Sequence, residues 1–261
     1  MDNSSHDSAA FTSIAPYYDL LMRDVPYRAW VRYIEQLLRV RGTKPRRVLD
    51  LACGTGNVAE LLAQAGHEVV GVDVSGPMIA QAIAKAERKR LPITYHRQDA
   101  ACMRIPGPPF DLCVSLFDSV NYITDPADVQ RAFHRVAEHL RPGGLFIFDI
   151  NSVFALENGF FDQEHTDPRD RLRYVWRSQY DPRSRLCRVH MRFWWRDARG
   201  REREFAETHV QFAYTVEELI AMLEAAGFVA IQTYHAYTLV PVRPSSDRIF
   251  FVAEKAGSAV E

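Results

Sequence analysis

Between Val48 and Ala59 the chain reads VLDLACGTGNVA, an apolar run carrying one acid, Asp50, followed by Gly54 and Gly56 with a single residue between them. Glycines so spaced leave the backbone open to close approach by a ligand. Asp73 closes the next apolar run, about twenty residues on, where a carboxylate accepts hydrogen bonds from both hydroxyls of a ribose. The chemistry these residues suit is retention of an adenosine-containing cofactor. Plainer readings stand beside it: Asp50 ordering the loop through its amides, and Asp73 leading into a helix capped by Ser75.

The elements that must position these residues follow from periodicity. RRVLDLA (46–52), HEVVGVDV (67–74), PITYHRQD (92–99), FDLCVSLF (110–117) and GLFIFDI (144–150) read as strands. Helical patterns alternate with them: Val58, Leu61, Leu62 and Ala65 in one, Val129, Phe133, Val136 and Leu140 in another, each on one face at helical spacing. Such alternation implies a mostly parallel sheet covered on both faces. It stops after residue 150. RLRYVWRSQY (171–180) and CRVHMRFWWR (187–196) place apolar residues on one face and arginines on the other, a period of two. With REFAETHVQFAY (203–214) they make an antiparallel meander joined by DPRSR and DARGR turns. A capping box at Thr215 and Glu218 restarts helix, and VAIQTYHAY (229–237) and DRIFFVAEK (247–255) close the chain as a neighbouring antiparallel pair. The expected fold is α/β, a doubly wound, mostly parallel seven-stranded sheet with an inserted antiparallel β-meander. The core is expected over 1–150 and 211–261, and the insertion over 151–210 as a cap on the acceptor side.

Composition narrows the class. The chain has 261 residues, 47% of them apolar and 25% charged, with a formal net charge of −1, which suits a globular protein and gives no global argument for DNA or an acidic membrane. The polar start MDNSSHDSAAFTS lacks a signal-peptide pattern, and no long apolar run occurs, so a cytoplasmic location is expected. Four scattered cysteines without a CxxC pair read as buried or incidental thiols, and no metal is expected. Charge is uneven all the same: twelve arginines against four acids lie between Arg169 and Arg203. Two readings are open, a solvated outer face and a surface for a phosphate-bearing acceptor or RNA.

Two cofactor classes use a glycine loop with a ribose-binding acid. A dinucleotide would set its pyrophosphate beside Asp50, whereas S-adenosylmethionine (SAM) has no phosphate and carries an ammonium and a sulfonium that an acid suits. The motifs VLDLACGTG, GVDVS, QDAACM (98–103), FDLCVSLFDSVNYI (110–123) and RPGGLFIFDI (141–150) resemble, in order, those of the class I SAM-dependent methyltransferases. The insertion after the fifth strand and FDSVNYI are similar to a bacterial subgroup that includes small-molecule and sugar-amine N-methyltransferases. The resemblance implies that Asp50, Ala52, Gly54 and Gly56 surround the methionine part of SAM and Asp73 holds the ribose. It implies that Asp99 and Ala100 meet the adenine edge, with Val74 and Met78 on its face. It also implies that Phe117 to Tyr122 face the sulfonium and acceptor, and that Tyr17 and Tyr18 close over the cofactor.

Methyl transfer needs the nucleophile, methyl and sulfur held in line more than it needs a base. A neutral amine acceptor requires none, whereas an oxygen acceptor wants one, and Asp118, His190, His209 and His235 are the available groups. Tyr18, Asn121, Tyr122 and His209 are the candidate catalytic residues, although Asn121 and Tyr122 also fit a capping and packing role. The expected activity is transfer of a methyl group from SAM to a small molecule, an amine favoured and an anionic acceptor open. The alternatives are a non-catalytic SAM-binding module that contacts RNA or protein, and a nicotinamide-dependent oxidoreductase.

Overall fold

The computed structural model describes residues 10–257; residues 1–9, most of the polar start read above, and 258–261 lie outside it. A 3-10 turn at Ala15–Tyr17 leads into α1 (Tyr18–Leu21) and α2 (Tyr27–Val40). Then come β1 (Arg47–Leu51), α3 (Asn57–Gln64), β2 (Glu68–Asp73), α4 (Gly76–Lys89), β3 (Thr94–Arg97) and β4 (Phe110–Ser115). After a second 3-10 turn, Ser119–Tyr122, the chain forms α5 (Pro126–His139), β5 (Leu140–Asn151) and α6 (Val153–Glu157). An antiparallel stretch follows, β6 (Gln163–His165), β7 (Leu172–Asp181), β8 (Leu186–Arg196) and β9 (Glu202–Phe212). The chain ends with α7 (Val216–Ala225), β10 (Phe228–His235) and β11 (Arg248–Lys255).

Seven strands form one sheet in the order β10-β11-β5-β4-β1-β2-β3, and β6 to β9 form a second. Every pair of the first sheet is parallel except those of β11, which runs antiparallel to both β5 and β10. β1 pairs with β2 on one side and β4 on the other, so the order reverses there and a crevice opens at the carboxyl ends. Alternation along β5 serves both faces. Phe146 and Phe148 pack with Phe133, Val136, Leu219 and Leu223 of α5 and α7. Leu145 and Ile147 join Ile34, Leu37, Val58 and Leu62 of α2 and α3. All these side chains are buried, each contributing about 1.5–3 kcal/mol relative to exposure.

The second sheet presents Leu172, Trp176, Val189, Met191 and Phe193 to Ile14, Ala15, Tyr18 and Met78. Its other face carries the arginines, paired with acids: Arg177 with Glu164 (2.7 Å), Arg192 with Glu204 (2.6 Å), Arg201 with Asp197 (2.8 Å) and Arg173 with Glu202. The basic segment is thus an outer face on which several arginines are paired, while Arg183, Arg188, Arg199 and Arg203 are exposed. Three details depart from the sequence reading. β3 is four residues rather than eight because it is an edge that pairs only with β2. β5 starts at Leu140, which pairs with Phe110 before the chain bends at Gly143. β6, three residues long, is too short to show a period.

Candidate active site

The glycine loop leaves β1 with Ala52, Gly54 and Gly56 all at positive φ (56°, 54° and 80°). The two glycines serve different ends. A Cβ on Gly54 would meet nothing within 4 Å, whereas one on Gly56 would lie 2.3 Å from the Tyr95 hydroxyl oxygen. Gly54 therefore leaves open space, and Gly56 lets the loop pass against the Tyr95 side chain of β3. Ala52 takes the left-handed conformation despite its Cβ, a strain the surrounding fold must hold.

Around this loop lies a cavity of about 600 Å³. Of the cofactor and catalytic candidates, all line it except Gly56 and Asn121. Asp50 is 2% exposed, and its Oδ2 is buried with no hydrogen-bond partner. Burial, against a bond from the Ala59 amide and reinforced by the charge of Asp73, pushes its carboxyl up to about 8. Asp73 accepts from Gly54 N through Oδ2 and from Ser75 N through Oδ1, both at 2.8 Å; burial lifts its pKa against these bonds. Asp99 Oδ1 accepts from Ala101 N at 2.8 Å. Met78 is buried and Val74 is 63% exposed.

After β4, Phe117 and Asp118 both adopt positive φ, and their amides donate to the two oxygens of Asp149 at 2.7 and 3.1 Å. Arg248 on β11 completes the cluster. It pairs with Asp149 and, at 2.9 Å, with Asp118. Asp118 is pushed up to about 6 by burial, which the pull of Arg248 only partly offsets and the charge of Asp149 adds to. Burial alone would weaken the Arg248 guanidinium, but Asp149 and Asp118 more than offset it and hold it charged. Two carboxylates thus share one guanidinium.

Asn121, fully buried, donates to the carbonyls of Asn151 and Phe212 and accepts from Asn151 N; it ties β5 to β9 and all its polar atoms are engaged. Tyr122 and His209 come together, Oη to Nδ1 at 3.1 Å. Glu207 holds the far ring nitrogen, Nε2, at 2.9 Å. Glu207 was not among the sequence candidates, yet Glu207 and His209 share a face of β9 by its period of two, and that was the available signal. His190 meets Thr208 on the outer face and His235 meets Ser246 near β11, both outside the cavity lining. Tyr18 lines the cavity, whereas Tyr17 stacks on Trp195 and Phe205 (ring centroids 4.9 and 5.4 Å apart). The segment bearing them is held by Asp19, which accepts from Thr55 Oγ1 at 2.6 Å and pairs with Lys85 at 2.9 Å.

Among the described residues, no helix is long and apolar enough to cross a membrane, and no group of three or more His, Cys, Asp or Glu is placed to hold a metal ion.

Comparison with known proteins agrees with this geometry. The family described as "Methyltransferase domain" matches residues 48–144, from β1 into β5. YqeM of Bacillus subtilis (strain 168), assigned by name to the methyltransferases, is 34% identical over 251 residues, covering 96% of this chain and 99% of its own. A SAM-dependent methyltransferase from Clostridium acetobutylicum superposes with a TM-score of 0.82 at 30% identity, covering 95% of this chain and 99% of its own. The sugar N-methyltransferase KedS8 from Streptoalloteichus sp. gives 0.73 at 26% identity, covering 92% of each. With its reversed final strand, its glycine loop at the switch point and these relatives, the chain belongs to the SAM-dependent methyltransferases.

Proposed function

We propose that the enzyme methylates an amine of a small molecule. The observation that carries this is the charge of the cavity. Asp50, Asp73, Asp99 and Asp118 line it, and Arg248, the arginine among the lining residues, is already shared by Asp118 and Asp149. An anionic acceptor finds no free cation among the described lining residues, while an amine suits the carboxylates that line the cavity besides those assigned to the cofactor below, among them Asp118, Asp125 and Asp247. The arginines of the basic face do not line the cavity, and several of them are paired with acids on the outside. A cavity of about 600 Å³ falls within the roughly 300–1,000 Å³ of small-molecule sites. KedS8, a sugar N-methyltransferase, shares the fold.

The orphaned Oδ2 of Asp50 fits the cofactor, because the ammonium of its methionine part is the donor such an atom lacks. In this reading Asp50 takes the ammonium and the open space at Gly54 admits the chain beside it. Asp73 takes the ribose with the lone pairs its two amide bonds leave, Asp99 and Ala100 meet the adenine edge, and Val74 and Met78 cover its face. SAM supplies an electrophilic methyl group on sulfur. The residues from Phe117 to Tyr122 then orient the acceptor, and the Tyr18 segment excludes water, so that proximity supplies most of the acceleration.

Incubating the full chain with methyl-labelled SAM and a bacterial cell extract, then separating small molecules, RNA and protein, tests this. Label is expected in small molecules that carry an amine, and to disappear with Asp73→Ala. Label confined to RNA, protein or hydroxyl acceptors would overturn the assignment.

A further inference from the structure

The order of donors along Glu207, His209 and Tyr122 can be worked out from one end. Glu207 accepts from Ser13 N (2.6 Å) and Ile14 N (3.0 Å) through Oε1, and from Phe11 N (3.0 Å) through Oε2. Burial would raise its carboxyl, but the bonds from His209, Ile14 and Ser13 outweigh burial and hold it below the usual range. A carboxylate so engaged has no proton to give. The bond from His209 Nε2 to Glu207 therefore places hydrogen on Nε2, and in the neutral ring Nδ1 carries the lone pair. Tyr122 Oη, at 3.1 Å from Nδ1, is then the donor. Burial keeps that hydroxyl protonated, with the charge of Asp118 acting in the same sense. With its proton directed at His209 and the Gln211 side chain also bonding to its oxygen, Tyr122 has only lone-pair capacity to offer the cavity that it lines.

We propose that these three residues form a relay that removes a proton from the methyl acceptor, with Tyr122 as the catalytic residue that touches it and His209 and Glu207 as positioning residues. The inference rests on the amine-acceptor reading above. In the step, an N–H bond of the protonated acceptor amine breaks and its electron pair stays on nitrogen as the nucleophile. The proton bonds to Tyr122 Oη while the hydroxyl's own proton passes to His209 Nδ1. The imidazolium so formed is neutralised by Glu207 on its own strand. The other charged groups near the relay are Asp118 and Arg248, which hold each other. Phe11 covers the pair, its ring 4.4 Å from that of His209 and 5.1 Å from that of Tyr122. Since the amides of Phe11, Ser13 and Ile14 bind Glu207, the relay is fully assembled only when that segment lies over the site.

The full chain, labelled with ¹⁵N-histidine and saturated with S-adenosylhomocysteine, tests the order of donors by long-range ¹H–¹⁵N NMR. The expected result is neutral His209 with hydrogen on Nε2, in the wild type and in Tyr122→Phe, with the tautomers mixing in Glu207→Gln. Hydrogen on Nδ1 in the wild type overturns the relay. In the labelled-methyl assay with the small-molecule fraction of a cell extract, Tyr122→Phe and His209→Gln should each lower the rate at saturating SAM by about 100-fold or more. The apparent KM for SAM should not move, which separates the role from mere support of the fold. Either variant keeping more than a tenth of the rate sinks the relay while the amine reading survives. Label that wild type places only in RNA or protein sinks the amine reading instead, and a slow Tyr122→Phe on that acceptor would still support the relay.

Discussion

Asp50 shows how one buried atom can carry a prediction. Its ionisation at about 8 in the ligand-free chain, against 3.8 ordinarily, means that it is mostly protonated at neutral pH. The sign follows by linkage. A carboxyl raised on folding contributes stability that is present below pH 4 and lost as pH rises through 8, so in ligand-free protein Asp50→Asn should raise Tm, by a margin widening from pH 6 to 8. Binding an ammonium favours the charged form and releases the proton. Affinity for S-adenosylhomocysteine should therefore rise up to about tenfold per pH unit from pH 6 to 8, as calorimetry in buffers of different ionisation enthalpy would measure. Asp50→Asn should flatten that slope and weaken binding by about 10- to 100-fold, the worth of one charged hydrogen bond. Unchanged pH dependence in the variant would show that Asp50 is not the ammonium's partner. The identity of Asp50 and its place before the glycines were legible in the sequence. Its missing partner was not, because an orphaned oxygen depends on everything else packed around it.

At the level of elements, the segment from Phe11 to Leu21 joins the two sheets. Its amides bind Glu207 of β9, and Asp19 binds Thr55 of the glycine loop and Lys85 of α4. Asp19→Asn should loosen it and speed tryptic cleavage at the exposed Arg23 several-fold, with S-adenosylhomocysteine restoring protection. Equal cleavage with and without ligand would mean that the segment does not move for binding. The strands and helices were readable because burial imposes periods of 2 and 3.6 on the apolar residues, and Leu172, Trp176, Val189, Met191 and Phe193 obey the first of these. The meeting of Tyr122 with His209 was not readable, since it links positions 87 apart and depends on where the second sheet docks. Nor was the pairing of Arg248 with Asp118 and Asp149, because nothing near those residues in sequence marks them as partners.

For the whole molecule, local charge misleads where the net charge of −1 does not. Arginines of the basic face are paired with neighbouring acids and stand outside the cavity, so mixed RNA should show no salt-dependent binding near physiological ionic strength, and methyl transfer should change little between 50 and 300 mM salt, values chosen to span the range over which phosphate contacts weaken by about 10³–10⁵. A steep fall in RNA retention over that range would restore the basic face as a binding surface. Arg248 has a different kind of consequence. It reaches back 130 positions to Asp118 from a strand lying between β5 and β10. The turn after β4, with two residues at positive φ, gains its full set of bonds only once that strand is in place. Glycine loop, β1 and β2 can assemble from neighbouring sequence, but the acceptor end waits for a long-range closure by a strand near the end of the chain. Cofactor affinity is thus a reporter of early assembly and turnover a reporter of its completion, so chains stalled late in folding would hold cofactor without transferring its methyl group.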